Sequence, residues 1–163
     1  VFSALQVRLK PPPSGQNGFE QGAHFRASVL LHELSHIAHG NFDIAYIDAV
    51  LPYLDLIENT GLYYSMVKRG IEKCQQRTLS HLTPRDELFT DTLTDGAPRD
   101  LDVTDNGALE AVLRITGCKT LDQARDVFLQ NAQRRAEVIL ANADSVSLLT
   151  TLLGRTRFTP PAV

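Results

Sequence analysis

The sequence predicts an α+β protein: a small domain of few strands plus one motif-bearing helix, followed by a mostly α-helical C-terminal module. Three observations predict it. Residues 4–10, "ALQVRLK", alternate apolar and polar side chains, the period of a half-buried strand. Residues 24–39 carry apolar side chains at three- and four-residue steps, the period of a helix. After residue 106 the chain turns to short amphipathic stretches bounded by glycine and capping residues.

With 163 residues the chain holds one compact domain, or one domain and a small helical module. A hydrophobic fraction of 43% and a charged fraction of 21% are ordinary for a globular protein. No apolar run approaches the ~20 residues that cross a bilayer, so no membrane partner is expected. Val1–Lys10 lacks the basic-then-apolar layout of a secretion signal. The chain opens mid-pattern and without Met, and so reads as an excised or processed piece. A net charge of −3 argues against bulk electrostatic binding to nucleic acid. Cys74 and Cys118 make no dense disulfide framework, which fits a reducing intracellular compartment, nuclear or cytoplasmic.

In the first strand Leu5, Val7 and Leu9 face one way, and Gln6, Arg8 and Lys10 the other. Pro11, Pro12 and Pro13 stop it, and "SGQNG" continues as loop. The helix over 24–39 has Ala27, Leu30, Leu31, Leu34 and Ala38 as its apolar stripe, with Gly40-Asn41 as cap and exit turn. A second helix is predicted over 43–58, with Pro52 as a kink or a new start, and a third over 62–82. Residues 83–106 are rich in Asp, Thr, Pro and Gly and read as a linker with one short turn. Three short helices follow in "GALEAVLRITG", "TLDQARDVFLQN" and "QRRAEVILANA", then a tail helix over 145–153 and a frayed end.

The chemistry lies in "LLHELSHIAHG", residues 30–40. His32-Glu33-Leu34-Ser35-His36 is HExxH. Residues four apart on a helix differ by about 40° in azimuth and about 6 Å in height. His32 and His36 therefore point to one side, and their imidazoles can converge on one zinc. Glu33 lies about 100° round from His32. It can take a proton from a water that zinc acidifies as that water attacks a carbonyl. This is the zincin peptidase solution, although a plain solvated helix face can carry the same short pattern. His39 lies about 10 Å from His32 along the axis, too far to share one metal. It reads as a supporting or substrate-facing residue.

At these residues the chain resembles the WLM domain. "VRLKPP", a spacer and "LLHELSHIAHGNFDIAYIDAVL" follow that family's order of strand, HExxH helix, glycine, aspartate and aromatic, over about residues 5–58. The family contains zinc metallopeptidases related to SprT/Spartan, which cleave DNA–protein crosslinks and are tied to SUMO and ubiquitin signalling. The resemblance implies zinc on His32 and His36, Glu33 as general base, and protein substrates, DNA-crosslinked or SUMO/ubiquitin-linked. The family's third ligand is a histidine before the aspartate. Here Phe42 stands in that place, and phenylalanine cannot bind zinc. Asp43 is the nearest carboxylate and the favoured substitute. Asp48, Asp55, Glu58, His24 and His81 remain alternatives.

Residues 109–143 are similar to a UBA-like three-helix module, which implies ubiquitin or SUMO as partner. Ala124, Val127 and Phe128 would form its second-helix core, and Ala136, Ile139 and Leu140 its third. The alternative is a plain helical hairpin packed on the peptidase domain. Lys68, Arg69 and Lys73, with Arg134 and Arg135, are the basic groups open to DNA phosphates. Interleaved acids and missing aromatics make them read as solvated helix faces. The organisation is thus a WLM-like domain over 1–82, a linker over 83–106, a helical module over 107–154 and a tail over 155–163. The function that the motif and the resemblance imply is that of a zinc-dependent endopeptidase. The alternative, which Phe42 supports, is a degenerate peptidase scaffold that serves as a protein-interaction module.

Overall fold

The computed structural model of the chain describes residues 20–45, 79–92 and 98–158. These residues are mostly helical. Helix α1 spans Gln21–His39. A 3-10 turn at Arg85–Glu87 leads to strands β1 (Thr90–Thr92) and β2 (Pro98–Asp100). Four helices follow: α2 (Ala108–Thr116), α3 (Leu121–Gln130), α4 (Ala132–Ala141) and α5 (Ala143–Phe158). The strands pair antiparallel, with Thr90 opposite Asp100 and Thr92 opposite Pro98. Among the described residues this two-stranded ribbon is the one sheet. The strand expected over 4–10 lies outside the described residues, as do the helices expected over most of 43–58 and 62–82.

Local chemistry sets the helix ends. The Glu20 carboxylate accepts from the backbone N–H groups of Gly22 and Ala23, free donors of the first turn of α1. So α1 starts three residues before the periodicity alone predicts. Gly40 ends it in the left-handed region, at φ 64°, and its N–H returns to the His36 carbonyl at 3.0 Å. Thr120 caps α3 through Gln123 N–H, and Asn131 caps α4 through Gln133 and Arg134 N–H.

The core joins α2, α3 and α4 to the segment around the ribbon. Phe89 and Phe128 meet edge to face, with ring centroids 5.5 Å apart. Leu88, Leu101, Val112, Ala124 and Val138 close round them. Residues 83–106 are therefore not bare linker. Leu88, Phe89 and Leu101 of this stretch are buried, while Val103 is exposed. The buried Arg125 ties them down: its Nε donates to the Leu88 carbonyl at 3.1 Å, and its Nη2 donates to Asp100. In α4 the core residue is Val138, with Ile139 half-buried, whereas Ala136 and Leu140 are exposed.

Helix α1 packs along α5. Residues 28 and 32 face 147 and 144 respectively, so the two helices run antiparallel. The Ser147 hydroxyl donates to the Ser28 carbonyl at 2.8 Å, and Ser28 and Ser35 are buried in this seam. The buried face of α1 is thus its Ser28–Ser35 side. Leu30 and Leu34, expected in the buried stripe, are 60% and 47% exposed, and Ile37 beside them is 83% exposed. They lie on the side of α1 away from α5: Leu34 is about 100° round from Ser35, and Leu30 is about 160° from Ser28 in the same direction.

Candidate metal centre

The exit from α1 brings a third side chain to the motif histidines. After Gly40 the chain turns back, and Phe42 pairs with the α4–α5 junction. Its N–H donates to the Ala141 carbonyl at 2.8 Å, and its carbonyl accepts from Ala143 N–H at 3.0 Å. Asn142, fully buried between those residues, holds the next stretch. Its Oδ1 accepts from Ile44 N–H and Ala45 N–H, each at 3.0 Å, and its Nδ2 donates to the Ala45 carbonyl at 3.0 Å. Asp43 sits between Phe42 and Ile44, so both its neighbours are fixed.

Held this way, Asp43 faces both imidazoles. His32 Nε2 and His36 Nε2 are 3.0 Å apart, and Asp43 Oδ1 lies 3.2 Å from the first and 3.3 Å from the second. The three atoms form a nearly equilateral triangle. Zinc bonds of about 2.0–2.1 Å in a tetrahedron put neighbouring ligand atoms about 3.3 Å apart. The spacing fits one face of such a polyhedron. His32, His36 and Asp43 form a group that could hold a metal ion. Among the described residues His24, His39 and His81 do not join it, while Asp48, Asp55 and Glu58 lie outside those residues.

Hydrogen positions follow from the outer partners of each ring. His32 Nδ1 meets the Asp144 carboxylate at 2.6 Å, and His36 Nδ1 meets the Asn41 carbonyl at 2.7 Å. Both partners are acceptors, so each Nδ1–H donates outward, and the tautomer this selects turns the Nε2 lone pair inward. Three lone-pair atoms then converge. A single proton between the rings would join the two nitrogens and leave Asp43 without a partner. Two imidazolium rings would set like charges 3.0 Å apart. The distances to Asp43 suit ion pairs, but its Oδ1 is buried and accepts no hydrogen bond. An orphaned buried carboxylate oxygen is costly. One cation satisfies all three atoms together.

The remaining candidates are placed as follows. Glu33 is exposed on α1, next to His32. His39 is exposed one turn beyond His36. Phe42 makes no attempt at the centre; its ring packs half-buried toward Gly107, whose φ of 82° and missing Cβ leave room 3.3 Å from the Phe42 edge. Arg134 is paired with Glu137 at 2.7 Å, and Arg135 donates to the Phe128 and Leu129 carbonyls. Those two arginines are engaged within the chain, while Lys68, Arg69 and Lys73 lie outside the described residues. Cys118 is a free thiol. No helix among the described residues is long and apolar enough to cross a membrane.

Sequence reasoning missed Asp144 and Asn142. In "ANADS" an aspartate in a first helical turn reads as a favourable charge at a helix N-terminus. Nothing in the stretch connects it to a histidine 112 positions earlier. Known protein families, curated proteins and solved structures were compared with the chain, and none matches.

Proposed function

We propose that the protein is a zinc-dependent peptidase, with His32, His36 and Asp43 as metal ligands and Glu33 as general base. One observation carries the reading: three possible donor atoms 3.0–3.3 Å apart, with both histidine Nδ1 atoms set against acceptors outside the triangle. When bound, zinc supplies a Lewis acid that acidifies water and polarises a carbonyl. The chain's own residues do the rest. Asp144 and the Asn41 carbonyl keep the ring protons at Nδ1 and the Nε2 lone pairs inward. Glu33, the residue after His32 on a rigid helix, offers an exposed carboxylate to take a proton from water and return it to the leaving amine.

The peptide substrate rests on the HExxH pattern and the WLM resemblance, as does a zincin-like α+β frame. DNA-crosslinked or SUMO/ubiquitin-linked proteins are the substrates that resemblance points to. The degenerate-scaffold reading drew its support from Phe42 at the family's ligand position. Asp43, one residue on, offers a donor atom in place of the one Phe42 lacks, which favours the peptidase reading.

Replacement of Glu33 tests the chemistry apart from the metal. Glu33→Gln is expected to lower cleavage of an unfolded protein substrate at least ~100-fold, with zinc content unchanged. Undiminished cleavage by the variant would remove Glu33 from the mechanism.

A further inference from the structure

The metal centre has a second support that lies far along the chain, in the junction between α4 and α5. We propose that Asp144 is a positioning residue of this centre: its carboxylate aims His32 at the ion, so that metal affinity depends on how α5 sits on α1. The inference rests on the metal reading above.

Four observations carry it. The His32 Nδ1–Asp144 Oδ1 contact, at 2.6 Å, is the shortest polar contact of the centre. Both side chains are largely out of water, at 16% and 12% exposure, so solvent screens the pair weakly. The contact is with the nitrogen that faces away from the ligand triangle. It therefore fixes ring rotation and tautomer while competing with no ligand atom. Finally, the same junction holds the third ligand's loop, through the Phe42 pairing and the Asn142 clamp on Ile44 and Ala45. Residues 141–144 thus touch both ligand-bearing segments, α1 and the turn after it.

A carboxylate behind a ligating histidine does two things. It makes the imidazole a stronger donor to the ion, and it removes the rotational freedom that metal binding would otherwise have to freeze. Asp144 also stands in the first turn of α5, where a negative charge favours the helix. A loss of stability alone could then mimic a positioning role. Ser147 provides the control. It bonds α5 to α1 one turn further on, through the Ser28 carbonyl, and touches no ligand.

The experiment is a competition titration of full-length metal-free protein with Zn²⁺, and with Co²⁺ for its visible absorption spectrum. It compares wild type, Asp144→Asn, Asp144→Ala and Ser147→Ala, each also followed by thermal melting without metal. Asp144→Ala is expected to weaken binding ~10–100-fold and to change the Co²⁺ spectrum. Asp144→Asn keeps shape and acceptor but not charge, so it should fall between Asp144→Ala and wild type. Ser147→Ala should lower the melting temperature and leave affinity and spectrum as in wild type. Tight wild-type binding with unchanged affinity in Asp144→Ala would overturn the positioning role and leave the metal centre standing. Equal weakening by Ser147→Ala and Asp144→Ala would overturn it too, since helix docking alone would explain both. A wild type that binds neither metal would bring down both readings.

Discussion

Asp43 and Phe42 divide between them the work of a turn that must do two things. Phe42 gives its backbone to the α4–α5 junction and its ring to the space beside Gly107, and Asp43 gives its carboxylate to the histidines. Phe42→His is therefore expected to add little to zinc affinity, because the ligand triangle is already complete. The same change should cost about 1–2 kcal/mol of stability from lost packing of a half-buried ring. Denaturant melts and a metal titration of this variant check both parts. A large gain in affinity would mean that Asp43 is not the working ligand. A titrating group lies in the loop before α2. Hydrogen bonds from Arg99 hold the Asp105 carboxyl below the usual aspartate range. A depressed folded-state pKa gives stability that is present above the unfolded value of about 3.9 and is lost as pH falls through the folded one. Melting temperatures of wild type and Asp105→Asn should thus differ most at neutral pH and converge as pH falls below the ordinary aspartate range.

At the scale of elements, the clamp between the 40–45 turn and the start of α5 decides whether the site forms. Asn142 is fully buried and uses both ends of its amide, bonding Ile44, Ala45 and Ser145. Asn142→Ala leaves several buried backbone groups unpaired and should cost roughly 3–5 kcal/mol, with metal affinity falling as the Asp43 loop loosens. A circular-dichroism melt and a zinc titration read the two effects. The sequence made part of this legible. The HExxH spacing, the Gly40 exit, the Thr120 cap and the Phe128 core position are local or periodic signals, and each is present as expected. Asp43 was reachable by proximity, as the nearest carboxylate after the motif. Asn142 and Asp144 were not, because their roles are contacts across 97 to 112 positions with no periodicity to betray them. Composition also misled over 83–106. Apolar residues look sparse in a string of Asp and Thr, yet Leu88, Phe89 and Leu101 all enter the core. In α1 the periodicity found the helix but not its buried side, since α5 takes the Ser28–Ser35 face.

For the molecule as a whole, the centre links its earliest described helix to its last. Two of the proposed ligands come from α1, the third from the turn after it, and the proposed support from the first turn of α5. An ion bound there would tie these segments together and stabilise the folded state by about 2.7 kcal/mol at a hundredfold excess over its dissociation constant. The measurement that tests the central claim most directly is zinc per chain by elemental analysis, on protein purified without a chelator or a histidine tag. The account predicts close to one zinc per chain in the wild type, and a loss of most of it in both His32→Ala and Asp43→Ala. A wild type with next to no zinc, or zinc retained in full by Asp43→Ala, would contradict it.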